Sequence, residues 1–323
     1  MIMDACPECA APVTAQDRFC AACGRNLRLR RTPVGGPPAL PDERCPCGEG
    51  DYGEDGACPQ CGRTRPSPRD RVEFTLPGVA GVSDRGRRRK RNEDSMAFGR
   101  ARGRGLAVVV CDGVASSERA EQASQLAADT ALDVLLTGVL AGSDTEQATT
   151  DAATSAGAAV SRLARPEAPE LAPSCTFVSA SVGLDGTVTV GWIGDSRAYL
   201  VAESGAARLT TDDTWAAHLV ATGQLTEEEA KTDRRAHVLS RWLGSGAESS
   251  TPQVVSLRPA TAGALVLCSD GLWNYLPEPE HIADALPLGV PPLEAARRLV
   301  DVALEAGGHD NITVVVVQLR GGG

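Results

Sequence analysis

Beginning at Val72, the chain carries short apolar runs rich in Val, Ile and Leu, separated by glycines and polar residues. Runs of this length and composition are typical of β-strands, because β-branched side chains fit a pleated, half-buried surface. On this basis, strands are predicted at 72–76, 106–111, 175–182, 188–193, 198–202, 264–268 and 312–319.

Two long alanine-rich segments lie between the early and the middle strands, at about 118–140 and 145–164. Apolar residues recur on the first at helical spacing, so both segments predict helices. Thr226 followed by Glu229 matches a capping box at the start of a short helix, and 292–305 has the pattern of another amphipathic helix. Strands in blocks with paired helices between them predict an α+β fold, in which antiparallel sheets are covered by helices.

The length of 323 residues allows one large and one small domain. The formal net charge of -10 lies wholly in 72–323, because 1–71 contains ten basic and ten acidic residues. An acidic body disfavours nucleic acid as the main ligand, since the phosphates would be repelled. No apolar run approaches the ~20 residues of a membrane-spanning helix, and the polar N-terminus lacks the pattern of a secretory signal. We therefore expect a cytoplasmic protein without a membrane partner.

Eight of the 11 cysteines fall within the first 61 residues, in two quartets of similar spacing. The first quartet is Cys6, Cys9, Cys20 and Cys23, and the second is Cys45, Cys47, Cys58 and Cys61. Paired cysteines on two tight turns supply the four tetrahedral ligands that zinc favours, so each quartet predicts one structural Zn²⁺. The alternatives are a disulfide framework, which needs an oxidising compartment, and a redox pair, which is expected beside a βαβ pattern.

The two quartets resemble a double zinc ribbon, and a segment this short needs the metal in order to fold. Gly24, Gly48 and Gly62 follow cysteine pairs, where a ribbon turn would need a left-handed residue. Pro/Gly-rich stretches at 32–41 and 63–71 predict linkers between and after the ribbons. The predicted domains are a double zinc ribbon at 1–64, a linker at 65–71 and a body at 72–320.

An aspartate closes or opens four of the predicted apolar runs, usually beside a glycine. These residues are Asp112, Asp195, Asp270 and Asp310. Each of them, taken singly, is also typical of a hairpin turn. Four carboxylates gathered at sheet ends would repel one another unless cations lay between them, and carboxylate oxygens are ligands that Mg²⁺ and Mn²⁺ prefer. The pattern therefore favours a divalent metal centre.

Six motifs occur in order along the body. They are R-x-x-N-E-D at 89–94, V-V-V-C-D-G at 108–113, S-C-T-F-V-S-A-S-V at 174–182, G-D-S-R-A-Y-L at 194–200, L-C-S-D-G-L-W at 267–273 and G-H-D-N-I-T-V-V-V at 308–316. Over about 72–320 the chain thereby resembles the bacterial PPM-type, metal-dependent protein serine/threonine phosphatases. The resemblance implies an αββα sandwich, with two antiparallel sheets flanked by helices and a two-metal centre at one end.

Carried over by position, the resemblance implies two Mn²⁺ or Mg²⁺ ions. Asp112 would bridge both ions, and the carbonyl of Gly113 would bind one of them. Asp270 and Asp310 would hold the first ion. A second set of residues, Asp94 with Glu93 beside it, would hold the second ion, mostly through water molecules.

Two further residues have implied roles at this centre. Asp195 resembles the acid that, with Asp270, supports a third and weaker metal in bacterial members, and Arg89 would clamp the substrate phosphate. The implied reaction is attack on phosphorus by a metal-bridged water or hydroxide, which releases phosphate from phosphoserine or phosphothreonine in proteins. Implied partners are phosphorylated proteins, including a Ser/Thr kinase or its targets, with the zinc ribbons as a docking or regulatory module.

Several positions keep an alternative interpretation. Arg89 belongs to a basic run typical of a solvated loop, and Asp195 could simply pair with Arg197. Many bacterial members continue Asp-Gly with Met-Gly-Gly-His, whereas Val-Ala-Ser-Ser follows here, so a general acid is missing unless water or Ser116 replaces it. A pseudophosphatase that binds phosphoproteins and an adaptor driven by the ribbons are the competing hypotheses.

Overall fold

The computed structural model describes residues 4–6, 9, 11–14, 17–24, 26–37, 45, 47, 52–53, 57–62, 65–168, 171–233, 235–247, 249–286 and 289–320. Two six-stranded sheets form its centre. In spatial order, the first contains β14 (Gln253–Leu257), β10 (Val188–Ile193), β9 (Phe177–Gly183), β7 (Gly105–Cys111), β6 (Ser95–Ala101) and β3 (Leu29–Arg31). The second contains β12 (Gly205–Arg208), β11 (Arg197–Ala202), β15 (Gly263–Cys268), β16 (Ile312–Leu319), β5 (Val79–Asp84) and β4 (Arg71–Leu76). Neighbouring strands in both sheets pair antiparallel.

Helices cover the outer face of each sheet. The first sheet carries α1 (Ala120–Ala141) and α2 (Thr145–Ser161), and the second carries α5 (Asp270–Trp273), α6 (Pro279–Ala285) and α7 (Pro292–Glu305). Between β12 and β13 (Leu243–Gly244), the chain forms α3 (Trp215–Ala221) and α4 (Glu227–Thr232). Within the described part of the chain, no helix combines the length and apolarity needed to cross a lipid bilayer.

Three apolar clusters join these layers. The central cluster contains residues of both sheets, such as Val108 and Val178 of the first and Leu265 and Val315 of the second. A second cluster joins α1 and α2 to the first sheet, and a third joins α6 and α7 to the second sheet. Burial of apolar side chains on both faces of each sheet gives the order helix, sheet, sheet, helix, which confirms the predicted αββα sandwich.

The sequence pattern located the regular elements of the body well. The predicted 188–193, 312–319 and 292–305 coincide with β10, β16 and α7. The capping box is also present, since the Thr226 side chain accepts from the Glu229 N–H and the Glu229 carboxylate accepts from the Thr226 N–H. The predicted strand 175–182 is instead two strands, β8 (Ser174–Cys175) and β9, because the N–H of Thr176 between them donates to the Asp112 carbonyl.

Strands β5 and β6 were not predicted, because glycines interrupt their apolar pattern. Gly81 of β5 lies where a Cβ would come within 2.5 Å of the Met96 sulfur, and Gly99 lies where a Cβ would come within 2.7 Å of a Leu136 methyl. These glycines let neighbouring layers approach closely, so they strengthen packing while they hide the strand pattern.

The segment predicted to belong to the zinc ribbons also supplies a strand of the body. β3 pairs with β6, with Arg30 opposite Arg100, and the N–H of Thr32 donates to the Phe98 carbonyl at 2.9 Å. The end of the first predicted ribbon is therefore part of the first sheet, and the start of the predicted 32–41 linker is hydrogen-bonded to it. The predicted 65–71 linker likewise ends inside a strand, because β4 begins at Arg71.

Candidate metal centre and active site

Aspartates from both sheets meet at one end of the sandwich. Asp112 follows β7 and Asp195 comes shortly after β10 in the first sheet, while Asp270 comes shortly after β15 and Asp310 precedes β16 in the second. Together they line one cavity of about 580 Å³. The predicted residues Arg89, Glu93 and Gly113 line the same cavity.

Asp94 lies behind the wall of this cavity, beside Asp112, and its side chain is only 2% exposed. Its Oδ2 accepts a hydrogen bond from the Ser269 hydroxyl at 2.7 Å, whereas its Oδ1 is buried and accepts none from the described residues. Burial, and then the charge of Asp310, raises the pKa of Asp94 to about 6. A buried carboxylate oxygen without a partner is costly, and a cation would satisfy it.

The other carboxyl groups of the centre are also hard to ionise as they stand. Loss of hydration, and then the charges of Asp94 and Asp270, raises the pKa of Asp112 well above its ordinary value. Burial is also the largest cause that raises the pKa of Asp270 well above its ordinary value and the pKa of Asp195 to about 7. Mutually repelling carboxylates with an unsatisfied oxygen are a donor set that fits divalent cations such as Mn²⁺ or Mg²⁺.

Two glycines allow the ligand-bearing segments to approach one another. A Cβ on Gly113 would lie 2.7 Å from the Ala120 carbonyl oxygen and 2.8 Å from that of Glu93. A Cβ on Gly271 would lie 1.9 Å from the Asn311 carbonyl oxygen. The glycines of both Asp-Gly pairs are therefore sterically required, which differs from the hairpin-turn interpretation that the sequence also allowed.

Backbone hydrogen bonds fix Asp112 in place. Its N–H donates to the Thr176 hydroxyl at 2.9 Å, and its carbonyl accepts from the Thr176 N–H at 2.8 Å. The Thr176 hydroxyl also contacts the Ser196 hydroxyl at 2.7 Å, next to Asp195. One buried threonine thus connects two of the predicted metal ligands.

Arg89 lies at the rim of the cavity rather than in free solvent. Its guanidinium pairs with Asp310 Oδ2 at 2.5 Å, and its side chain remains 39% exposed. Glu93 is half-buried nearby, its N–H donates to the Asn311 side chain at 2.8 Å, and burial raises the pKa of its carboxyl. An exposed guanidinium fork at the edge of a carboxylate cluster can reach phosphate oxygens that approach from solvent.

Arg197 does not pair with Asp195. Its guanidinium forms a bidentate pair with Asp212, with N–O distances of 2.9 and 2.7 Å, and it stacks 3.7 Å from the centroid of the Trp273 ring. Asp195 therefore keeps its carboxylate in the cavity, and the structural alternative for this residue is wrong.

The segment between β12 and β13 contributes cavity residues that the sequence patterns did not single out. Val238, Leu239 and Trp242 give one wall an apolar surface, and His237 lies beside them. The His237 ring centroid is 5.9 Å from that of Trp273, whose indole N–H donates to the Asp195 carbonyl. No periodic pattern marks these residues, because the segment is irregular where they occur.

Each cysteine quartet brings its four sulfur atoms together. In each quartet the ligand atoms all lie within 4.8 Å of one another, and the paired sulfurs in hydrogen-bond range are 3.5 to 3.7 Å apart. Four sulfurs at 2.3 Å from a tetrahedral Zn²⁺ would be about 3.8 Å apart, whereas a disulfide would bring them to about 2.05 Å. No disulfide joins any of these eight cysteines. The arrangement fits zinc rather than disulfides.

The turns of the quartets show the expected local conformation. Gly24 and Gly62 have φ angles of 76° and 72°, and their N–H groups donate to the carbonyls of Cys20 and Cys58 at 2.8 Å. Both angles are left-handed, as predicted, while Gly48 lies outside the described residues. The pKa of the Cys45 thiol is lowered to about 6, mainly by a hydrogen bond from the Cys47 backbone. This shift favours the thiolate, which is the form that binds a metal.

Comparison with known proteins agrees with this geometry. A sequence profile described as protein phosphatase 2C matches residues 83–305. The serine/threonine protein phosphatase PstP of Mycobacterium tuberculosis is 34% identical over 242 residues, which cover 74% of this chain and 44% of PstP. This chain thus matches less than half of that relative's length. It belongs to the protein phosphatase 2C family, which confirms the resemblance to PPM-type phosphatases.

Solved structures show the same fold. The catalytic domain of the phosphatase PstP in complex with two manganese ions has a TM-score of 0.59 and 31% identity, over 75% of this chain and 97% of that one. Stp1 from Staphylococcus aureus has a TM-score of 0.66 and 24% identity, over 76% of this chain and 96% of that one. The second likeness concerns the fold alone. The two manganese ions are bound by the PstP catalytic domain, and manganese binding by this chain is proposed below.

Proposed function

We propose that this chain hydrolyses phosphoserine and phosphothreonine in proteins with the help of Mn²⁺ or Mg²⁺. The observation that supports this most directly is the cavity at the end of the sandwich. There, carboxylates from both sheets converge around Asp112, and the buried Oδ1 of Asp94 has no partner among the described residues. Such a donor set is suited to two divalent cations, and the guanidinium of Arg89 at its rim is suited to a phosphate.

Each residue then has a proposed role. Asp112 would hold both cations, and the Gly113 carbonyl would bind one of them. The first cation would also be held by Asp270 and Asp310, and the second by Glu93 and Asp94. Asp195 would support a third cation. When bound, the cations supply positive charge for the phosphoryl oxygens and lower the pKa of a water molecule. Arg89 would bind and orient the phosphate. The water, after losing a proton to solvent, would then form the new bond to phosphorus opposite the ester oxygen as the P–O bond to the seryl or threonyl group breaks.

The leaving alkoxide has to gain a proton as this bond breaks. Among the described residues that line the cavity, His237 is the one histidine, and its contact with Trp273 holds it on the side of Asp195. We propose His237 as the group that donates this proton. The apolar side chains of Leu239 and Trp242 would pack against the substrate and exclude water from that side.

The test is release of phosphate from a phosphothreonine peptide by the purified full chain as Mn²⁺ is titrated. Asp112→Ala and Asp270→Ala should abolish release, whereas Asp151→Ala, at an exposed position on α2, should match the wild type. If the folded chain releases no phosphate at any Mn²⁺ concentration, the pseudophosphatase hypothesis replaces this one.

The cysteine quartets are proposed to hold two structural Zn²⁺ ions and to serve as a docking or regulatory module. Elemental analysis of the purified chain should give about two zinc ions per molecule, and Cys20→Ser or Cys58→Ser should each remove one. Zinc absent from folded protein would contradict the ribbon assignment. A gel shift with random DNA and RNA tests the adaptor hypothesis, for which salt-sensitive binding would be required. A partner Ser/Thr kinase and a cytoplasmic location stay predictions.

A further inference from the structure

The segment that carries Asp94 is held from behind by the N-terminal part of the chain. Arg69, in the predicted linker, donates from Nη2 to the Asp94 carbonyl and to the Ser95 hydroxyl, both at 2.8 Å. Its Nε donates to the Asn92 carbonyl at 3.4 Å. A single guanidinium thus bonds to Asp94 itself and to Asn92 and Ser95 on either side of it, and its planar fork fixes their relative positions.

Arg69 is in turn connected to helix α1. Its Nη1 donates to Gln125 Oε1 at 2.8 Å, and Gln125 Nε2 donates to Asp129 Oδ2 at 2.9 Å. Asp129 is buried, and Arg69 and Gln125 are half-buried, so this chain of hydrogen bonds is partly shielded from water.

The segment between the two cysteine quartets contacts Asp129, the last residue of this chain of hydrogen bonds. Arg31 of β3 pairs with Asp129 Oδ1 at 2.5 Å, with side chains that are only 9% and 10% exposed, and it also pairs with Asp133. The N–H of Gly35 donates to Asp129 Oδ2 at 2.9 Å. Asp129 therefore pairs with Arg31 through Oδ1 and accepts from both Gly35 and Gln125 through Oδ2, which joins the inter-quartet segment to Gln125.

The same segment forms a wall behind the candidate metal ligand. Gly36 and Pro37 line a small cavity of about 20 Å³, together with Arg69, Asn92 and Asp94. A volume of this size holds about one water molecule. The inter-quartet segment is thus in the immediate surroundings of Asp94, although it lies about sixty residues earlier in the chain.

We propose that the segment 31–37 acts as a brace, which positions Asp94 for its divalent cation through Asp129, Gln125 and Arg69. The inference rests on the proposed function only in taking Asp94 as a cation ligand. These residues are positioning residues, since they reach the cation through Asp94. Groups that orient a metal ligand typically change metal affinity by about 10- to 100-fold when they are removed. The brace would make the affinity of the metal centre depend on how the segment between the quartets is docked.

Two adjacent glycines offer a matched test. Gly35 and Gly36 have left-handed φ angles of 79° and 83°, so alanine causes similar backbone strain at both. A Cβ on Gly35 would meet nothing within 4 Å, whereas a Cβ on Gly36 would lie 2.7 Å from Gln125 Oε1 and 3.2 Å from Arg69 Nη1. The clash at Gly36 is relieved when the Gln125 amide moves away, and that movement breaks its hydrogen bond to Arg69.

The experiment measures Mn²⁺ affinity of the full, zinc-loaded chain from the EPR signal of free Mn²⁺, with zinc content and urea unfolding recorded for every variant. Gly36→Ala and Arg69→Lys should weaken Mn²⁺ binding about tenfold or more, while Gly35→Ala stays within about twofold of the wild type. Arg69→Lys keeps the charge and loses the fork. If Arg69→Lys does not fold, the comparison of Gly36→Ala with Gly35→Ala tests the brace by itself.

Equal Mn²⁺ affinity of Gly36→Ala and Gly35→Ala would overturn the brace. Because binding is measured without turnover, the two proposals can fail separately. A weakened Gly36→Ala in a chain that hydrolyses no phosphopeptide would support the brace and contradict the phosphatase proposal. Normal phosphopeptide hydrolysis, with equal Mn²⁺ affinities of Gly36→Ala and Gly35→Ala, would support the phosphatase proposal and contradict the brace.

Discussion

The hydroxyl of Ser269, at the end of β15 in the second sheet, donates to the buried Oδ2 of Asp94, at the start of β6 in the first sheet, over 2.7 Å. The same hydroxyl accepts from the Thr313 N–H of β16 at 3.0 Å. One serine side chain therefore connects the two sheets at the candidate metal centre. It leaves the other oxygen of Asp94 free of hydrogen bonds from the described residues, and so available to a cation.

Ser269→Ala should weaken Mn²⁺ binding. Without the hydroxyl, Asp94 loses its orienting donor and a hydrogen bond that favours its charged form, so metal affinity should fall by about tenfold. Isothermal titration with Mn²⁺ at pH 7 measures this. Ser161→Ala, at an exposed position at the end of α2, is the control and should bind like the wild type. An unchanged affinity in Ser269→Ala would show that Asp94 needs no orienting hydrogen bond.

Stability without Mn²⁺ or Mg²⁺ should fall as the pH rises from 5 to 7. Burial raises the pKa of Asp94 from 3.8 to about 6, so between these values the folded chain keeps a proton that the unfolded chain has lost. The stabilisation is present at low pH and disappears as the pH passes the folded pKa, with a loss on the order of 1 kcal/mol from this residue. Asp195, with a pKa of about 7, acts in the same direction.

Urea unfolding at pH 5 and pH 7 measures this dependence. In Asp94→Asn the side chain no longer titrates, so the loss between the two pH values should be smaller than in the wild type. Added Mn²⁺ should stabilise the chain more at pH 7 than at pH 5, because protons compete with the cation for the carboxylates. A larger pH-dependent loss in Asp94→Asn would contradict the assigned shift.

The pair of Arg197 and Asp212 should be far more important for stability than an exposed pair. Their side chains are 8% and 13% exposed, so Asp212→Ala leaves a buried guanidinium without its carboxylate. The free energy of unfolding should fall by about 3 kcal/mol. Arg298→Gln, which removes the exposed pair with Glu294, should change it by less than about 1 kcal/mol. Urea unfolding of Asp212→Ala and Arg298→Gln measures both free energies. A loss in Asp212→Ala as small as that in Arg298→Gln would contradict a stabilising role for the buried pair.

The sequence predicted the body of the fold because its strands are continuous apolar runs buried on both faces, as in β7 and β16. It predicted the candidate ligands because Asp112 and Asp270 each follow such a run. It could not place β3, whose Leu29–Arg31 carries two arginines and gains its partner only through β6. Arg69 was likewise hidden in a basic linker pattern, since two of its four acceptors are backbone carbonyls that leave no trace in composition.

The segment around His237 was hidden for a related reason. Its residues lie in an irregular stretch, and only the folded chain brings His237 beside Trp273 and into the cavity. The sequence showed that Val114 replaces the residue that often follows Asp-Gly in the family, and so left the source of the proton open. The structure offers a histidine from a distant part of the chain at the same cavity.

His237→Gln should therefore impair the enzyme selectively by leaving group. A threonyl alkoxide is a poor leaving group and needs a proton as the P–O bond breaks, whereas p-nitrophenolate leaves readily without one. Loss of a general acid should lower kcat/KM for a phosphothreonine peptide by about 100-fold and leave hydrolysis of p-nitrophenyl phosphate close to the wild-type rate. His218→Gln, at an exposed position of α3 outside the cavity lining, should match the wild type on both substrates. An equal decrease on the two substrates would mean that His237 contributes to binding or to the shape of the cavity, and that the proton comes from water.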